Sequence, residues 1–288
     1  MNSSKRQTAV VTGVTGGIGR WIALGLARAG YHVVMVCRDG QRGHATAEWI
    51  AQQVPDSSTE LKLADLSLIR STHRVGLEIA AEYQRLSLLV NNAGMFTARR
   101  QLTSEGCEAV LAVNHLAPYV LTQALEHSLR AAAPSRIVNV GSSTSDHGGI
   151  DPNDLELVRH WGMVRAYRRS KLAMLMSTFA RAERLRGTGV VANVVHPGAI
   201  ATGLVRENGA IGAAWRLMAP FLRTEEQGAD TPLHTALAPE WADMTAIYVK
   251  DRAAARPNAR VLNSSLVEKV DAATRVLAAR ILLEASPD

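Results

Sequence analysis

The segment Thr12-Gly13-Val14-Thr15-Gly16-Gly17-Ile18-Gly19 constrains this chain more than any other. It lies between a β-branched run, Thr8–Thr12, and a stretch with helical spacing of apolar residues, Gly19–Ala29. A strand that passes straight into a helix through glycines lets the main chain approach an anion closely. The helix N-terminus then offers free N–H groups and the positive end of its dipole. Gly19 stands where the helix opens, and a side chain there would hold the helix off the strand. Such a turn implies a strand–helix–strand unit, so the rest of the chain has to supply neighbours for the first strand.

It does so repeatedly. Candidate strands are Thr8–Thr12, His32–Cys37, Glu60–Leu63, Leu88–Asn91, Arg136–Val140 and Val190–His196, with a short seventh near Ala246–Val249. Between them, apolar residues recur every third or fourth position over Gly19–Ala29, Ala45–Val54, Leu68–Tyr83, Ala109–Leu129 and Ala166–Leu185. Further helices are expected over Thr224–Ala238 and Ser265–Leu282. The strands are almost continuously apolar, as strands covered on both faces are. Strand–helix alternation of this kind gives a parallel sheet with right-handed crossovers and helices on both sides. No repeat, linker or low-complexity segment divides the 288 residues, so residues 1–288 read as a single doubly wound α/β domain.

Cys37 and Cys107 are the two cysteines, outside any C-x-x-C spacing, so neither a disulfide framework nor a metal site is indicated. A reducing, cytoplasmic setting is the expectation. The apolar run after Met1–Arg6 is short and lacks a small-residue cleavage site, so no signal peptide is expected. No stretch approaches the roughly 18 apolar residues of a membrane span. The net charge of +6 is carried by scattered arginines rather than a basic run with interleaved aromatics, which argues against a nucleic-acid partner.

Gly13, Gly17 and Gly19 follow a Gly-x-x-x-Gly-x-Gly spacing. After them come Asp65-Leu66, Asn91-Asn92-Ala93-Gly94, Asn114, Ser142, the pair Tyr167 and Lys171, and Pro197-Gly198-x-x-x-Thr202. In this order, over nearly the whole chain, the sequence resembles the short-chain dehydrogenase/reductase family. The resemblance implies a single Rossmann-type domain with a mostly parallel seven-stranded sheet, a cofactor half (about 1–135) and a catalytic and substrate half (about 136–288). It also implies a nicotinamide dinucleotide. Gly13, Thr15, Gly17, Ile18 and Gly19 would meet the pyrophosphate, and Asp65 and Leu66 the adenine. Asn91, Ala93 and Gly94 would lie by the adenine ribose, and Pro197, Gly198, Ile200 and Thr202 would orient the nicotinamide.

The end of the second strand, Val36-Cys37-Arg38-Asp39, bears on the choice of cofactor. An acid there would accept hydrogen bonds from ribose hydroxyls and repel a 2′-phosphate, whereas an arginine attracts it with a fork of N–H donors. Cys37 is not acidic and Arg38 is basic, so NADP(H) is expected, with Arg42 as a possible second phosphate contact and Asp39 as a neighbour able to neutralise Arg38.

Tyr167 and Lys171 stand at i, i+4 on a helix, which puts phenol and ammonium on one face. Bringing a tyrosine from about 10 to near 7 takes roughly 4 kcal/mol of preferential phenolate stabilisation, for which a lysine and a bound nicotinamide are sources. By the resemblance Tyr167 donates the proton, Ser142 (alternatively Ser143) polarises the substrate oxygen, Lys171 holds the ribose, and Asn114 holds a water behind the lysine. The activity implied is NADP(H)-dependent interconversion of a carbonyl and an alcohol, in the carbonyl-reductase sense. A catalytically silent NADP(H)-binding regulator is the alternative. The Asp146–Gly162 insert, Cys37-Arg38-Asp39 and Glu226-Gln227-Gly228-Ala229 resemble the retinol-dehydrogenase-like branch. Residues 203–222, with Trp215, Met218 and Phe221, suggest a lid over a lipophilic substrate. The family also implies a homodimer or homotetramer paired through Ala109–Leu129 and Ala166–Leu185.

Overall fold

The β-branched runs pair where the alternation places them. The computed structural model describes residues 6–200 and 222–284. Its first half runs β1 (Thr8–Thr12), α1 (Gly17–Arg28), β2 (His32–Cys37), α2 (Gly40–Gln53), β3 (Ser58–Leu63), α3 (Ile69–Glu82) and β4 (Leu88–Asn91). A short α4 (Ala109–Leu111), a π-helical turn (Ala112–Leu116) and α5 (Ala117–Ala131) then form one continuous rod. β5 (Ser135–Val140), a 3₁₀ turn (Ser143–His147), α6 (Met163–Arg184) and β6 (Val190–His196) follow. The chain ends with α7 (Glu225–Leu237), β7 (Tyr248–Lys250), β8 (Ala253–Ala255) and α8 (Ser264–Leu283).

The sheet order is β3-β2-β1-β4-β5-β6-β7-β8. The chain winds outward from β1 to β3 and then returns to place β4 on the other side of β1. The strand order therefore reverses between β1 and β4, where a doubly wound sheet opens a crevice at its carboxyl edge. Strands β1 to β7 are parallel, and β8 is antiparallel to β7. Among the described residues the sheet thus has eight strands rather than the seven expected. Asp251 and Arg252 both take positive φ (49° and 61°), so a two-residue turn folds Ala253–Ala255 back onto Tyr248–Lys250. Turns of this kind usually advertise themselves with Asn-Gly or Asp-Gly, and this one carries no glycine.

Alternate residues of each strand serve opposite cores. Ala9 and Val11 of β1 pack with α1 and α7 residues, while Val10 packs with α3 and α5 residues. α1 and α7 lie close because Gly25 leaves room for Leu233 and Gly228 leaves room for Ile18 and Ile200. On the other face α8 lies along α6. Val267, Val270 and Ile281 are buried there, Arg184 grips buried Asp271 through two bonds, and His115 Nε2 meets Thr274 Oγ1 at 2.8 Å. Among the described residues no helix is long and apolar enough to cross a membrane.

Candidate active site

At the carboxyl end of β1, Gly13 takes φ +73°, and a β-carbon on it would lie 2.8 Å from Ala93 Cα. Gly17 opens α1 at φ +58°. At Gly19 a β-carbon would lie 2.1 Å from the Gly13 carbonyl oxygen, so the helix sits as near the strand as a glycine permits. Among the described residues no side chain caps α1, and its first turn holds no acid. The N–H groups and dipole of this twelve-residue helix are therefore left for an anion, and the cradle fits a pyrophosphate. Ile18, 8% exposed, is packed beneath the turn, and the Thr15 carbonyl accepts from Arg42 Nη2 at 3.0 Å.

The turn is tied to the end of β4 by two residues. Thr12 Oγ1 accepts the N–H groups of Asn92 and Ala93, both at 3.0 Å. Asn92 Nδ2 donates back to the carbonyls of Thr12 (3.0 Å) and Gly13 (3.2 Å). Neither Thr12 nor Asn92 carries a local sequence signal for this role, although Asn92 lies inside the Asn91-Asn92-Ala93-Gly94 motif. The Asn91 side chain turns into the core instead, donating to Thr122 Oγ1 and Asn139 Oδ1.

Past β2, Arg38 has a side chain 72% exposed, and its Nη1 lies 3.7 Å from Asp65 Oδ2. Asp65 is oriented by Ser67, which donates to Oδ1 from its N–H (2.9 Å) and hydroxyl (2.7 Å). Leu66 is buried beside it. Asp39 caps α2, its Oδ1 accepting the Arg42 N–H at 3.0 Å. That oxygen is occupied within its own loop.

The catalytic candidates converge at the carboxyl ends of β4 and β5. Asn114 is fully buried in the π-helical turn, where the helix widens by a residue and turns its side chain inward. Its Oδ1 accepts from Met95 N (2.7 Å), and its Nδ2 donates to Met95 O (2.9 Å) and Ser170 Oγ (3.0 Å). Gly94 adjoins both Asn114 and Lys171: a β-carbon there would lie 3.5 Å from Asn114 Oδ1 and 3.8 Å from Lys171 Nζ. Lys171 donates to the Val140 carbonyl at 2.8 Å, and burial lowers its pKa to about 8.

Tyr167 meets the Ser142 hydroxyl and packs edge-on against Phe96, with ring centres 5.2 Å apart. Burial pushes its phenol above the ordinary value, and the bond to Ser142 works against that rise. Ser142 N-caps the 3₁₀ turn, accepting from Thr144 N (3.3 Å) and Thr144 Oγ1 (3.0 Å). Ser143 instead gives its N–H to His196 Nδ1 at 3.1 Å. Ser142 is thus the serine whose hydroxyl meets Tyr167.

β6 ends at Pro197 and Gly198, with Gly198 at φ +94°. Ile200 is buried against Gly228 of α7. Thr202 and, apart from Leu222, the expected lid over 203–222 lie outside the described residues. The Asp146–Gly162 insert packs onto the α4 end, where Trp161 Nε1 donates to Glu108 Oε1 at 3.2 Å. Asn258, just before α8, donates to the carbonyls of Ser145 (2.7 Å), Asp146 (3.1 Å) and Gly148 (3.2 Å). Nothing in its sequence neighbourhood signals that task.

Known proteins share this chain's sequence pattern and fold. A profile described as short chain dehydrogenase matches residues 7–210. Retinol dehydrogenase 12 of Bos taurus is 36% identical over 264 residues, covering 92% of this chain and 84% of that protein. Retinol dehydrogenase 11 of Homo sapiens is 34% identical over 264 residues, covering 92% and 83%. Among solved structures, an uncharacterised protein from Mycobacterium paratuberculosis superposes with a TM-score of 0.76 at 26% identity, covering 95% of this chain and 93% of that one. A short chain dehydrogenase from Burkholderia cenocepacia in complex with NADP superposes with a TM-score of 0.69 at 27% identity, covering 85% and 95%. This chain belongs to the short-chain dehydrogenase/reductase family and is similar within it to the retinol dehydrogenases.

Proposed function

We propose that the protein is an NADP(H)-dependent oxidoreductase that reduces a lipophilic aldehyde or ketone to its alcohol, or runs the reverse reaction. The observation that carries this reading is the convergence of Tyr167, Ser142, Lys171 and Asn114 beside Gly94. The cradle at Gly13, Gly17 and Gly19 in the first half would hold the pyrophosphate, with Thr15 and Ile18 in the same turn. Asp65, Leu66, Ala93 and Gly94, with the backbone of Asn91, would flank the adenosine. Pro197, Gly198, Ile200 and Thr202 in the second half would orient the nicotinamide. Arg38 would hold the 2′-phosphate and Arg42 support it, because Asp39 is engaged as a helix cap.

When bound, the nicotinamide supplies or accepts a hydride at the substrate carbon. The Ser142 and Tyr167 hydroxyls hydrogen-bond the substrate oxygen, and the Tyr167 proton passes to that oxygen as negative charge develops there. The phenolate left behind keeps the Ser142 bond, and Lys171, protonated below about pH 8, favours it electrostatically. Asn114 fixes Met95 and Ser170 around the lysine and would hold the water through which the tyrosine is reprotonated.

A lipophilic substrate accords with relatives that are named retinol dehydrogenases. The test is cofactor oxidation with NADPH and NADH against aldehydes and ketones graded by size. Turnover with NADPH that rises with apolar bulk supports the reading. Tight NADPH binding with no turnover anywhere in the panel would favour the silent regulator. For assembly, α8 already covers part of the face of α6, so pairing through α5 and α6 has to use what α8 leaves free; light scattering distinguishes monomer from dimer. The cytoplasmic reading rests on two free, buried cysteines and is tested by cell fractionation.

A further inference from the structure

We propose that His196 is a positioning residue for proton transfer, its ring fixing the turn that presents the Ser142 hydroxyl. The proposal rests on the reading of Ser142 given above. β5 and β6 run in register to Val140 and Val195, and the Gly141 N–H reaches the Val195 carbonyl at 2.7 Å. Beyond that point the strands part. β5 enters the 3₁₀ turn and β6 meets Pro197, whose backbone cannot donate. The N–H groups at the start of a helical turn have no partner within the turn. The Ser142 hydroxyl serves Thr144, and His196 Nδ1 serves Ser143 at 3.1 Å. The imidazole therefore extends the ladder by one rung, made by a side chain where the backbone has run out.

The bond specifies the ring's chemistry. Nδ1 accepts, so a neutral ring carries its proton on Nε2. Burial, with Lys250 and Arg223 nearby and Asp251 opposing them, holds the His196 pKa down to about 4. The acceptor lone pair therefore persists at neutral pH. Asn258 fixes the far end of the same turn through the carbonyls of Ser145, Asp146 and Gly148. His196 holds the end that adjoins Ser142, and without the ring the Ser143 N–H must find another acceptor by moving the turn.

The test compares His196→Leu, which removes the acceptor, with His196→Asn, whose amide oxygen can replace Nδ1. Two readouts are used: amide hydrogen exchange of the 141–148 segment, which needs no turnover, and NADPH oxidation with nonanal. In His196→Leu the segment should lose protection and kcat should fall about tenfold, the effect of one misplaced hydrogen bond. NADPH affinity should stay within about twofold, and His196→Asn should restore both protection and kcat. In a Ser142→Ala background, His196→Leu should cost nothing further. Unchanged protection in His196→Leu, an additive loss in the double variant, or an asparagine as damaging as leucine would overturn the proposal. If Ser142→Ala leaves kcat intact, the reading of Ser142 fails, and exchange alone decides whether His196 holds the turn.

Discussion

The turn after β1 and the turn after β5 lie on the same edge of the sheet and are shaped by opposite means. The first is defined by missing side chains: a β-carbon on Gly13 or Gly19 would fall within 2.8 Å of backbone atoms. The second is defined by side chains that arrive from elsewhere, His196 from the end of β6 and Asn258 from beside α8, with Lys171 gripping the carbonyl of Val140 just before the turn. A site for a pyrophosphate needs main chain at close range, which local glycines allow and the Thr12 and Asn92 bonds to β4 hold in place. A site that moves a proton needs hydroxyls at fixed positions, and those are fixed by tertiary hydrogen bonds.

Four substitutions sharpen or break that contrast. Tyr167→Phe keeps the edge contact with Phe96 and removes the hydroxyl, so turnover should fall about 10³-fold while NADPH binding survives. Retained turnover would remove the proton donor from the second region. Gly19→Ala should weaken NADPH binding by about 2–3 kcal/mol, because a methyl group 2.1 Å from the Gly13 carbonyl must push α1 away. Wild-type affinity in that variant, measured by titration, would show that close approach is not what the glycines provide.

Lys171→Met separates function from stability. The lysine's pKa is about 8 in the fold against 10.5 in the unfolded chain. The unfolded state therefore binds the proton more readily. Stability falls as pH drops from about 10.5 to about 8, and the full cost, roughly 3 kcal/mol, is present below that window. Removing the charge relieves this cost and sacrifices the bond to the Val140 carbonyl, worth about 1 kcal/mol. The variant should thus be inactive yet about 2 kcal/mol more stable at pH 7 in urea unfolding. A loss of stability would mean that the Val140 bond outweighs burial. Arg38→Asp has the smallest expected effect, a change of about tenfold or a little more that reverses the preference for NADPH over NADH. Equal affinities in the wild type would remove Arg38 from the phosphate site.

The sheet, its main helices and the glycine cradle were legible because each announces itself within a few residues. Six parallel strands agree with their apolar runs to within two residues at either end, from Thr8–Thr12 to Val190–His196. Tyr167, Lys171 and Asn114 were legible as a spacing and an order. What holds the two turns in place was not. Thr12 and Asn92 lie 80 residues apart in the chain, and Asn258 lies 113 residues from Ser145. No periodicity links such pairs, and an Asn after a proline or a His ahead of one looks locally like ordinary turn chemistry. The eighth strand was missed for a related reason, since Asp251-Arg252 lacks the glycine that usually marks a tight hairpin.

The π-helical turn at Ala112–Leu116 has a consequence for how this site tolerates changes in chain length. A π-helical turn takes up one surplus residue by widening, so the helix on either side keeps its phase while the residues within the turn change the direction they face. Asn114 and His115 therefore face their partners, Met95 and Thr274, only while that surplus is kept. A one-residue deletion within this turn would leave a more regular helix with α4 and α5 still in phase, yet it would turn Asn114 and His115 away from those partners. Substitutions here can be absorbed one side chain at a time, whereas a change of length redirects the buried side chains of the turn together.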